Sequence, residues 1–473
     1  IRQLLEDPGI SRTLDEEYLA HFIARGECPT ELTPYKSIKR LPAASFIIVE
    51  ERGLRIQKYW DLDPENEIHC SSDQEYGEQL RSLFFDSVRA SLRSCGPVWS
   101  ELSGGLDSSS IVCTAQEIYR AGEVPNNGFT TITAAFDEST KVDEKRWSRL
   151  VIDKYGINAV FFPADHYWVL KDFDQEVPYW DEPTPKGLIT AQLRAQGSQV
   201  LETGGRVILS GMGGDQVFMG GGQNPVHLAD LLRGFRLRQL ARELGAWQRH
   251  LNLPFSRVFL DNCVKPLLKP NTMSDHSDAR LWKPARWILQ SYSKRTGLED
   301  LMAQRFLSRR YKSPAAQRQY LVIMRTSAAM VKAPLMHPTI DHRCPFLYRP
   351  LIEFAMGIPM EQKLRPGGDT RSILRRAMLG VLPEEIRLRK TKAVFDQHIH
   401  SGIDREWARI AGLVDSPQLG LMGIVDPREF RRALEMIRIG HSEGIYQLIS
   451  ALALEFWLRA SPEGQRTGSA LVA

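Results

Sequence analysis

The chain has 473 residues, of which 42% are apolar and 25% are charged, and these proportions exclude a disordered or fibrous protein. The formal net charge of +4, with both signs interspersed, requires no nucleic-acid or membrane partner, although it is compatible with an anionic ligand such as a nucleotide. The six cysteines form no C-x-x-C pair, so neither a zinc site nor a disulfide framework is indicated. The sequence shows neither a long apolar run nor a signal pattern, which predicts a soluble cytoplasmic protein.

The N-terminal part predicts a small β-rich unit. Short apolar runs at 46–49 and 54–56 indicate strands, after a segment with helical spacing. The polar, serine-containing stretch that follows is typical of a linker. We therefore expect a first domain over 1–66, a linker over 67–74 and a second domain over 75–473.

The second domain begins with the alternation that is typical of a doubly wound parallel sheet. Its strand-like runs are 98–102, 129–136, 159–162 and 206–209, and its helical segments include 76–92, 111–119 and 144–154. From residue 227 onward the pattern is almost entirely helical. The prediction is an α/β fold in which the sheet over 75–226 binds a ligand beyond its strand ends, and the helical part over 227–473 completes the site.

The segment after the first of these strands has the chemistry of a phosphate-binding loop. It reads Ser103-Gly-Gly-Leu-Asp-Ser-Ser-Ser110 and leads into a helix. Glycines let phosphate oxygens approach the backbone, and hydroxyls and free amides at a helix N-terminus bind anions. Asp107 would repel phosphate unless a cation intervened, so it is predicted to bind Mg²⁺. Taken alone, the segment would also fit a tight glycine turn with a serine cap.

A second loop repeats this chemistry after the strand at 206–209. It reads Ser210-Gly-Met-Gly-Gly-Asp-Gln-Val-Phe218 and supplies Asp215 as a second hard oxygen ligand. The alternative is a glycine-rich turn with a capping aspartate. If both strands end at the same edge of the sheet, Asp107 and Asp215 could share one ion.

Three later segments, at 343–355, 363–371 and 382–392, read alone as an apolar turn and a solvated basic run. Together with the two loops, their order and content resemble the synthetase domain of asparagine synthetases over about residues 75–460. The first loop resembles the pyrophosphatase loop of enzymes that cleave ATP between the α and β phosphates, on a sheet of the adenine nucleotide alpha-hydrolase type. Residues 14–60 resemble the tail of the family's glutaminase (Ntn-type) domain.

The resemblance implies a role for each matching residue. The adenosine-binding positions are matched by Leu102, Ala134, Ser210 and Gly211. The pyrophosphate loop is matched by Ser103, Gly104, Gly105, Ser108 and Ser109. The magnesium ligands are matched by Asp107 and Asp215, which would act in catalysis together with Lys392. Lys392 matches the lysine that neutralises charge on phosphate and on the tetrahedral intermediate, a preorganised electrostatic role.

The sequence also departs from the asparagine synthetase pattern. That family has a glutamate between the glycines of the second loop, and the related β-lactam synthetases have a tyrosine, whereas this chain has Met212. A methionine cannot take a proton from the attacking amine, so another group must do so. The cysteine nucleophile needed to hydrolyse glutamine is absent from this sequence, so residues 1–66 are interpreted as the remnant of a glutaminase-like domain.

Several features resemble the macrolactam synthetases of lasso-peptide pathways more closely. These features are the triple serine after Asp107, the Gly213-Gly-Asp motif, Asp181-Glu-Pro183 and Pro366-Gly-Gly-Asp-Thr-Arg371. Asp181 or Glu182 could orient the incoming amine or merely cap a loop. The arginines of 233–249 could face a peptide, a partner protease or a leader-binding protein, or simply be solvated.

The expected function is therefore ATP-dependent amide formation on a carboxylate, with macrolactam formation in a precursor peptide preferred to asparagine synthesis. A tRNA-modifying enzyme of the same loop family is the second alternative. It would require a basic stripe or paired cysteines, and the sequence shows neither. A catalytically dead binding module is least favoured, because both aspartates and Lys392 are present.

Overall fold

The computed structural model describes residues 1–26, 28–137, 144–176, 180–219, 225–268, 284–303, 311–331, 337–366, 369–390 and 396–461. The strands are β1 (Ser45–Glu50), β2 (Gly53–Lys58), β3 (Val98–Glu101), β4 (Phe129–Ala135), β5 (Asn158–Pro163), β6 (Val207–Leu209), β7 (Asp341–Arg343), β8 (Leu364–Arg365) and β9 (Asp369–Thr370). Within this part of the chain, no helix is both long enough and apolar enough to cross a membrane.

The helices up to the end of β6 are α1 (Arg2–Leu5), α2 (Glu16–Arg25), α3 (Asp73–Ser91), α4 (Leu106–Arg120), α5 (Lys145–Tyr155), α6 (Phe173–Glu176) and α7 (Thr190–Glu202). Those that follow are α8 (Gly214–Met219), α9 (His227–Arg233), α10 (Leu237–Leu251), α11 (Phe255–Phe259), α12 (Lys265–Leu268), α13 (Gln290–Thr296), α14 (Leu298–Ala303), α15 (Pro314–Val331), α16 (Arg349–Gly357), α17 (Met360–Lys363), α18 (Ser372–Ala377), α19 (Glu384–Leu388), α20 (Asp396–Arg405), α21 (Trp407–Val414), α22 (Gln418–Leu421), α23 (Pro427–Arg438) and α24 (Ile445–Ala460).

The central feature is a five-stranded parallel sheet with the strand order β5-β4-β3-β6-β7. In the register of β3, Val98 lies opposite Phe129 of β4 and Val207 of β6. The chain runs outward from β3 to β5 and then returns to form β6 and β7, so the strand order reverses between β3 and β6. Ligands of open α/β sheets bind at such a reversal, beyond the carboxyl ends of the strands.

Helices cover both faces of this sheet, which confirms the predicted doubly wound α/β fold. On one face, Val98 packs in a cluster with Phe84 of α3 and Ile111 of α4. On the other face, Trp99 packs with Val200 of α7. Adjacent residues of β3 thus point to opposite faces, as the pleat requires, and both loops project from an edge that is held between two packed layers.

The helical part contains strands that the sequence did not predict: β7, which joins the central sheet, and the short pair β8 and β9. β7 consists of the polar residues Asp341–Arg343 and pairs in parallel with β6, with His342 opposite Ile208. A strand of three polar residues shows no alternation of apolar and polar side chains, so hydrophobic periodicity cannot predict it. The expectation of an almost entirely helical region after residue 227 was therefore wrong at this position.

Residues near the N-terminus pack against the C-terminal helices. Tyr18 of α2 belongs to the same hydrophobic cluster as Leu452 of α24. β1 and β2 form an antiparallel hairpin. Within the predicted linker, the Ile68 amide donates to the Gly357 carbonyl over 2.8 Å. The domain division at 67–74 remains a prediction.

Candidate active site

A cleft of about 470 Å³ lies at the carboxyl ends of β3, β4 and β6. The residues predicted for nucleotide or metal binding that line it are Leu102, Ser103, Gly105, Asp107, Ser108, Ala134, Ser210, Gly211 and Asp215. They come from segments up to about a hundred residues apart and meet at the reversal of strand order. Their binding roles remain predictions.

Three other predicted residues are placed differently. Gly104 has a left-handed φ of +63°, and a Cβ there would lie 2.2 Å from the Cβ of Trp147. It therefore packs against α5 and is not among the residues that line the cleft. Ser109 is fully buried, and its hydroxyl has no hydrogen-bond partner in the described part of the chain. Lys392 lies outside the described residues, because positions 391–395 are not described.

The first loop is closed by its own serines. The Ser103 amide donates to the Ser108 hydroxyl over 3.1 Å, and the two hydroxyls are 3.0 Å apart. α4 starts at Leu106, so Asp107 lies in its first turn, where the helix N-terminus stabilises a carboxylate. The loop therefore presents one carboxylate beside a helix N-terminus that suits phosphate.

Glycines of the second loop allow it to touch the first. A Cβ on Gly211 would lie 2.9 Å from the Ser108 amide nitrogen, and one on Gly214 would lie 2.5 Å from Cγ of Asp107. Asp215 follows in the first turn of α8. The absence of side chains at these two positions is what brings Asp215 close to Asp107.

Arg371, which appeared above only as the last residue of the Pro366–Arg371 motif, joins the two carboxylates. Its Nη1 donates to Asp107 over 2.7 Å and lies 2.8 Å from Asp215. Burial opposes the charge of Arg371, but the two carboxylates more than offset this and raise its pKa above the ordinary value. A cation therefore lies between the predicted metal ligands.

A second arginine that the sequence did not single out, Arg389, also lines the cleft. It donates to the Gly104 carbonyl over 3.1 Å, and its guanidinium lies 4.5 Å from the ring centroid of Trp147. The aromatic ring and the carbonyl orient the guanidinium. The carboxylate of Glu144, which also lines the cleft, lies 4.0 Å from this guanidinium.

On the opposite wall, Glu101 organises the second loop. The Ser210 hydroxyl donates to Glu101 and accepts the amide of Met212 over 3.3 Å. Nε2 of His342, on β7, lies 3.8 Å from the Glu101 carboxylate. Burial alone would raise the pKa of Glu101, but His342 and the Ser210 hydroxyl lower it overall.

The pKa of His342 changes in the opposite direction. Burial would lower its pKa, but contacts with Cys344 and Glu101 raise it to about 10. The two side chains therefore form a charged pair at neutral pH. A carboxylate thus lies on the wall that carries Met212, the position for which the sequence offered no proton acceptor.

Two further candidates do not line this cleft. Glu182 is buried, where it accepts from the Tyr18 hydroxyl over 3.1 Å and pairs with Arg40, so it links its own segment to the N-terminal part of the chain. Its partners favour a structural role over a role in orienting the amine. The residues Arg233, Arg236, Arg238, Arg242 and Arg249 are exposed on α9, on α10 and between them.

The carboxylate oxygens of Asp107 and Asp215 are ligands that a hard divalent cation such as Mg²⁺ prefers. In this structure the positive charge between them is that of Arg371. No group of three or more His, Cys, Asp or Glu side chains suited to a metal occurs among the described residues. An ion held by Asp107 and Asp215 would consequently need further oxygen ligands from a bound polyphosphate or from water. Such a shared site is typical of Mg²⁺.

Known proteins resemble this chain in sequence over most of its length. The chain is 25% identical to asparagine synthetase (glutamine-hydrolyzing) 3 of Bacillus subtilis over 410 residues, which covers 82% of this chain and 59% of the relative. It is 24% identical to amidase chyE of Penicillium rubens over 452 residues, which covers 85% of this chain and 65% of the relative. The chain thus spans less than two thirds of the length of these two relatives.

A putative asparagine synthetase (glutamine-hydrolyzing) of Mycobacterium bovis is 24% identical over 480 residues, which covers 96% of this chain and 69% of the relative. The family model described as asparagine synthase matches residues 79–459, which include the sheet, both glycine loops and the helical part. All the residues that line the cleft lie within this matched range. The chain therefore belongs to the asparagine synthase family.

Proposed function

We propose that this chain is an ATP-dependent ligase that activates a carboxylate as an acyl-adenylate and joins it to an amine. The proposal depends chiefly on one observation: Asp107 and Asp215 both contact Nη1 of Arg371, in a cleft where the strand order of the sheet reverses. Phosphate-binding loops and acidic metal ligands combined in this way suit a magnesium–nucleotide complex. The names of the relatives, asparagine synthetases and an amidase, indicate amide chemistry.

The reaction consists of two displacements. A carboxylate oxygen of the substrate attacks the α-phosphorus of ATP, forming the acyl-adenylate and releasing pyrophosphate. The amine nitrogen then attacks the acyl carbon, the bond from the acyl carbon to the phosphate oxygen breaks, AMP leaves, and the nitrogen loses a proton. A bound Mg²⁺ would neutralise phosphate charge and assist the departure of pyrophosphate.

The protein's own residues would position the reactants. The backbone of the first loop and the N-terminus of α4 would cradle the pyrophosphate, while Asp107 and Asp215 would hold the metal. Arg389 would neutralise phosphate charge from the side of Trp147. We assign Lys392 to the stabilisation of negative charge at the α-phosphate and at the tetrahedral intermediate.

For the substrate, we propose macrolactam formation in a ribosomal peptide, in which the peptide's own N-terminal amine attacks an activated Asp or Glu side chain. Met212 supports this proposal, because asparagine synthetases have a glutamate at the matching position. The exposed arginines of α9 and α10 could receive a leader peptide or a partner protein. The alternative is asparagine synthesis from aspartate with ammonia or glutamine, as the names of the relatives suggest.

The test is a comparison of substrates under one condition. The protein is incubated with Mg-ATP and linear precursor peptides encoded near its gene, with aspartate plus ammonia, or with aspartate plus glutamine, and AMP and products are quantified by mass spectrometry. We expect AMP to form together with a peptide that has lost one water. Accumulation of asparagine would instead support the alternative.

The Asp215→Asn variant serves as the matched control. It removes one charge from the proposed metal site while keeping the size of the side chain, so AMP formation should fall in every arm that is active in the wild type. AMP formation that is unchanged in this variant, or release of ADP in place of AMP, would refute the proposal. A tRNA-modifying activity would appear as AMP formed only when tRNA is added.

A further inference from the structure

We propose that Arg371 is an internal counter-ion: it occupies the place between Asp107 and Asp215 until a magnesium–nucleotide complex displaces it. The inference rests on the proposed function, because it concerns the proposed metal ligands of that reaction. It adds a property that the reaction itself does not require, namely that the ligand-free protein excludes the divalent ion and accepts it together with the nucleotide.

The geometry shows that the arginine and the ion compete for one place. Both carboxylates contact the same nitrogen, Nη1 of Arg371, at 2.7 and 2.8 Å. A magnesium ion bound by both carboxylates would lie about 2.0–2.1 Å from each oxygen. An ion bound by both oxygens on the side where Arg371 lies would overlap with this nitrogen, so the guanidinium must move before an ion can bind there.

The same contacts show why the arginine is needed when no ion is present. The side chains of Arg371 and Asp107 are only 12% and 13% exposed, and that of Asp215 is 24% exposed. Two carboxylates held together with so little water would repel each other strongly. Arg371 supplies the compensating charge and keeps both carboxylates in one place, so the metal ligands are organised in advance.

Other features of Arg371 favour its release. Among the residues that the structure describes, its buried Nε has no hydrogen-bond partner, and leaving a buried donor unpaired costs free energy. The side chain is held chiefly by two charges, and a polyphosphate that brings its own Mg²⁺ both replaces it at the carboxylates and offers it new acceptors.

The test measures metal binding without turnover, using Mn²⁺ as a probe that can be followed by the loss of its free-ion resonance. We expect the nucleotide-free wild type to bind Mn²⁺ at least tenfold more weakly than the same protein with a non-hydrolysable ATP analogue. Arg371→Met should bind Mn²⁺ at least tenfold more tightly than the wild type when nucleotide is absent. Arg365→Met, which removes a surface arginine paired with Asp73, is the control and should bind as the wild type does.

Thermal unfolding provides an independent readout. Arg371→Met should melt below the wild type in metal-free buffer and recover with Mg²⁺ alone, whereas the melting temperature of the wild type should not respond to Mg²⁺ alone. If Arg371→Met does not fold, the wild-type titration decides, because equal Mn²⁺ affinity with and without nucleotide would overturn the inference. Failure of the proposed function would look different: no carboxylate would support AMP formation, while the Mn²⁺ difference between the two proteins persisted.

Discussion

Gly214 offers a direct test of the contact between the two loops. A Cβ at this position would lie 2.5 Å from Cγ of Asp107 and 2.7 Å from its Oδ1. Ordinary van der Waals contact begins at about 3.4 Å, so in Gly214→Ala the Asp107 carboxyl must move by roughly 0.9 Å. Metal–ligand distances tolerate only about 0.2 Å, so the proposed pair of ligands would no longer fit one ion.

The expected loss can be stated as a binding constant. Changes that merely disturb the support of a metal ligand cost about 10–100-fold in metal affinity, and the alanine displaces a proposed ligand itself. We therefore expect Mg-ATP to bind roughly 10–100-fold more weakly to Gly214→Ala, equivalent to about 1.4–2.8 kcal/mol. The fold should survive, because alanine is favoured over glycine at the start of α8.

The assay is a titration of a fluorescent ATP analogue with and without Mg²⁺, accompanied by circular dichroism to confirm folding. Gly412→Ala is the matched control, since this glycine lies exposed in α21 and a Cβ there would meet nothing within 4 Å. The control should bind Mg-ATP normally and gain up to about 1 kcal/mol of helix stability. Wild-type affinity for Mg-ATP in Gly214→Ala would refute the argument that the loops must touch at this glycine.

Three further predictions follow from other parts of the site. The raised pKa of His342, about 10, means that its pair with Glu101 stabilises the fold fully below pH of about 6.5 and loses this effect as the pH rises through about 10. The difference in melting temperature between the wild type and His342→Gln should shrink over that range, and a constant difference would contradict the pairing. Arg389→Met should weaken ATP binding about tenfold in a nucleotide titration, because the Gly104 carbonyl and the phosphates lose a charged donor; unchanged affinity would exclude a phosphate contact. Lys392→Ala should abolish amide formation, measured as product by mass spectrometry, with an unchanged melting temperature; near-normal turnover would remove Lys392 from the mechanism.

Much of the fold could be predicted because the relevant segments follow simple rules. The strand at 98–102 and the helix after it appear as β3 and α4, and the strand at 206–209 appears as β6. Each is a short apolar run or a segment with helical spacing of its apolar residues, next to glycines, and such segments are the ones that hydrophobic periodicity predicts best. The basic segment 233–249 lies in the part that was predicted to be almost entirely helical, but it is divided between α9 and α10, because the chain turns at Phe235 with a left-handed φ of +54°.

The positions of the two loops and the proximity of Asp107 and Asp215 could also be predicted, but the two arginines beside them could not. Glycine, serine and aspartate in a strand-to-helix turn indicate phosphate and metal chemistry from residue type alone. Arg371 and Arg389 carry no such local signal, since arginines in a basic segment are usually solvated. Their function depends on a fold that brings residues more than 260 positions apart to within hydrogen-bond distance of Asp107 and Gly104.

The proposed nucleotide side of the cleft can be predicted from the sequence more fully than the proposed acceptor side. Phosphate and Mg²⁺ have fixed charge and geometry, so residues suited to them are restricted to a few types, and these occur in both loops. The acceptor amine imposes no comparable restriction, and Met212 leaves the wall beside Ser210 without the family's acidic side chain. Glu101 supplies a carboxylate to that wall from a neighbouring strand, while its contacts with Ser210 and His342 hold the second loop in place. Because Glu101 keeps a charged group in the cleft beside Met212, the loop sequence alone does not identify the proposed acceptor amine, which must be identified by product analysis.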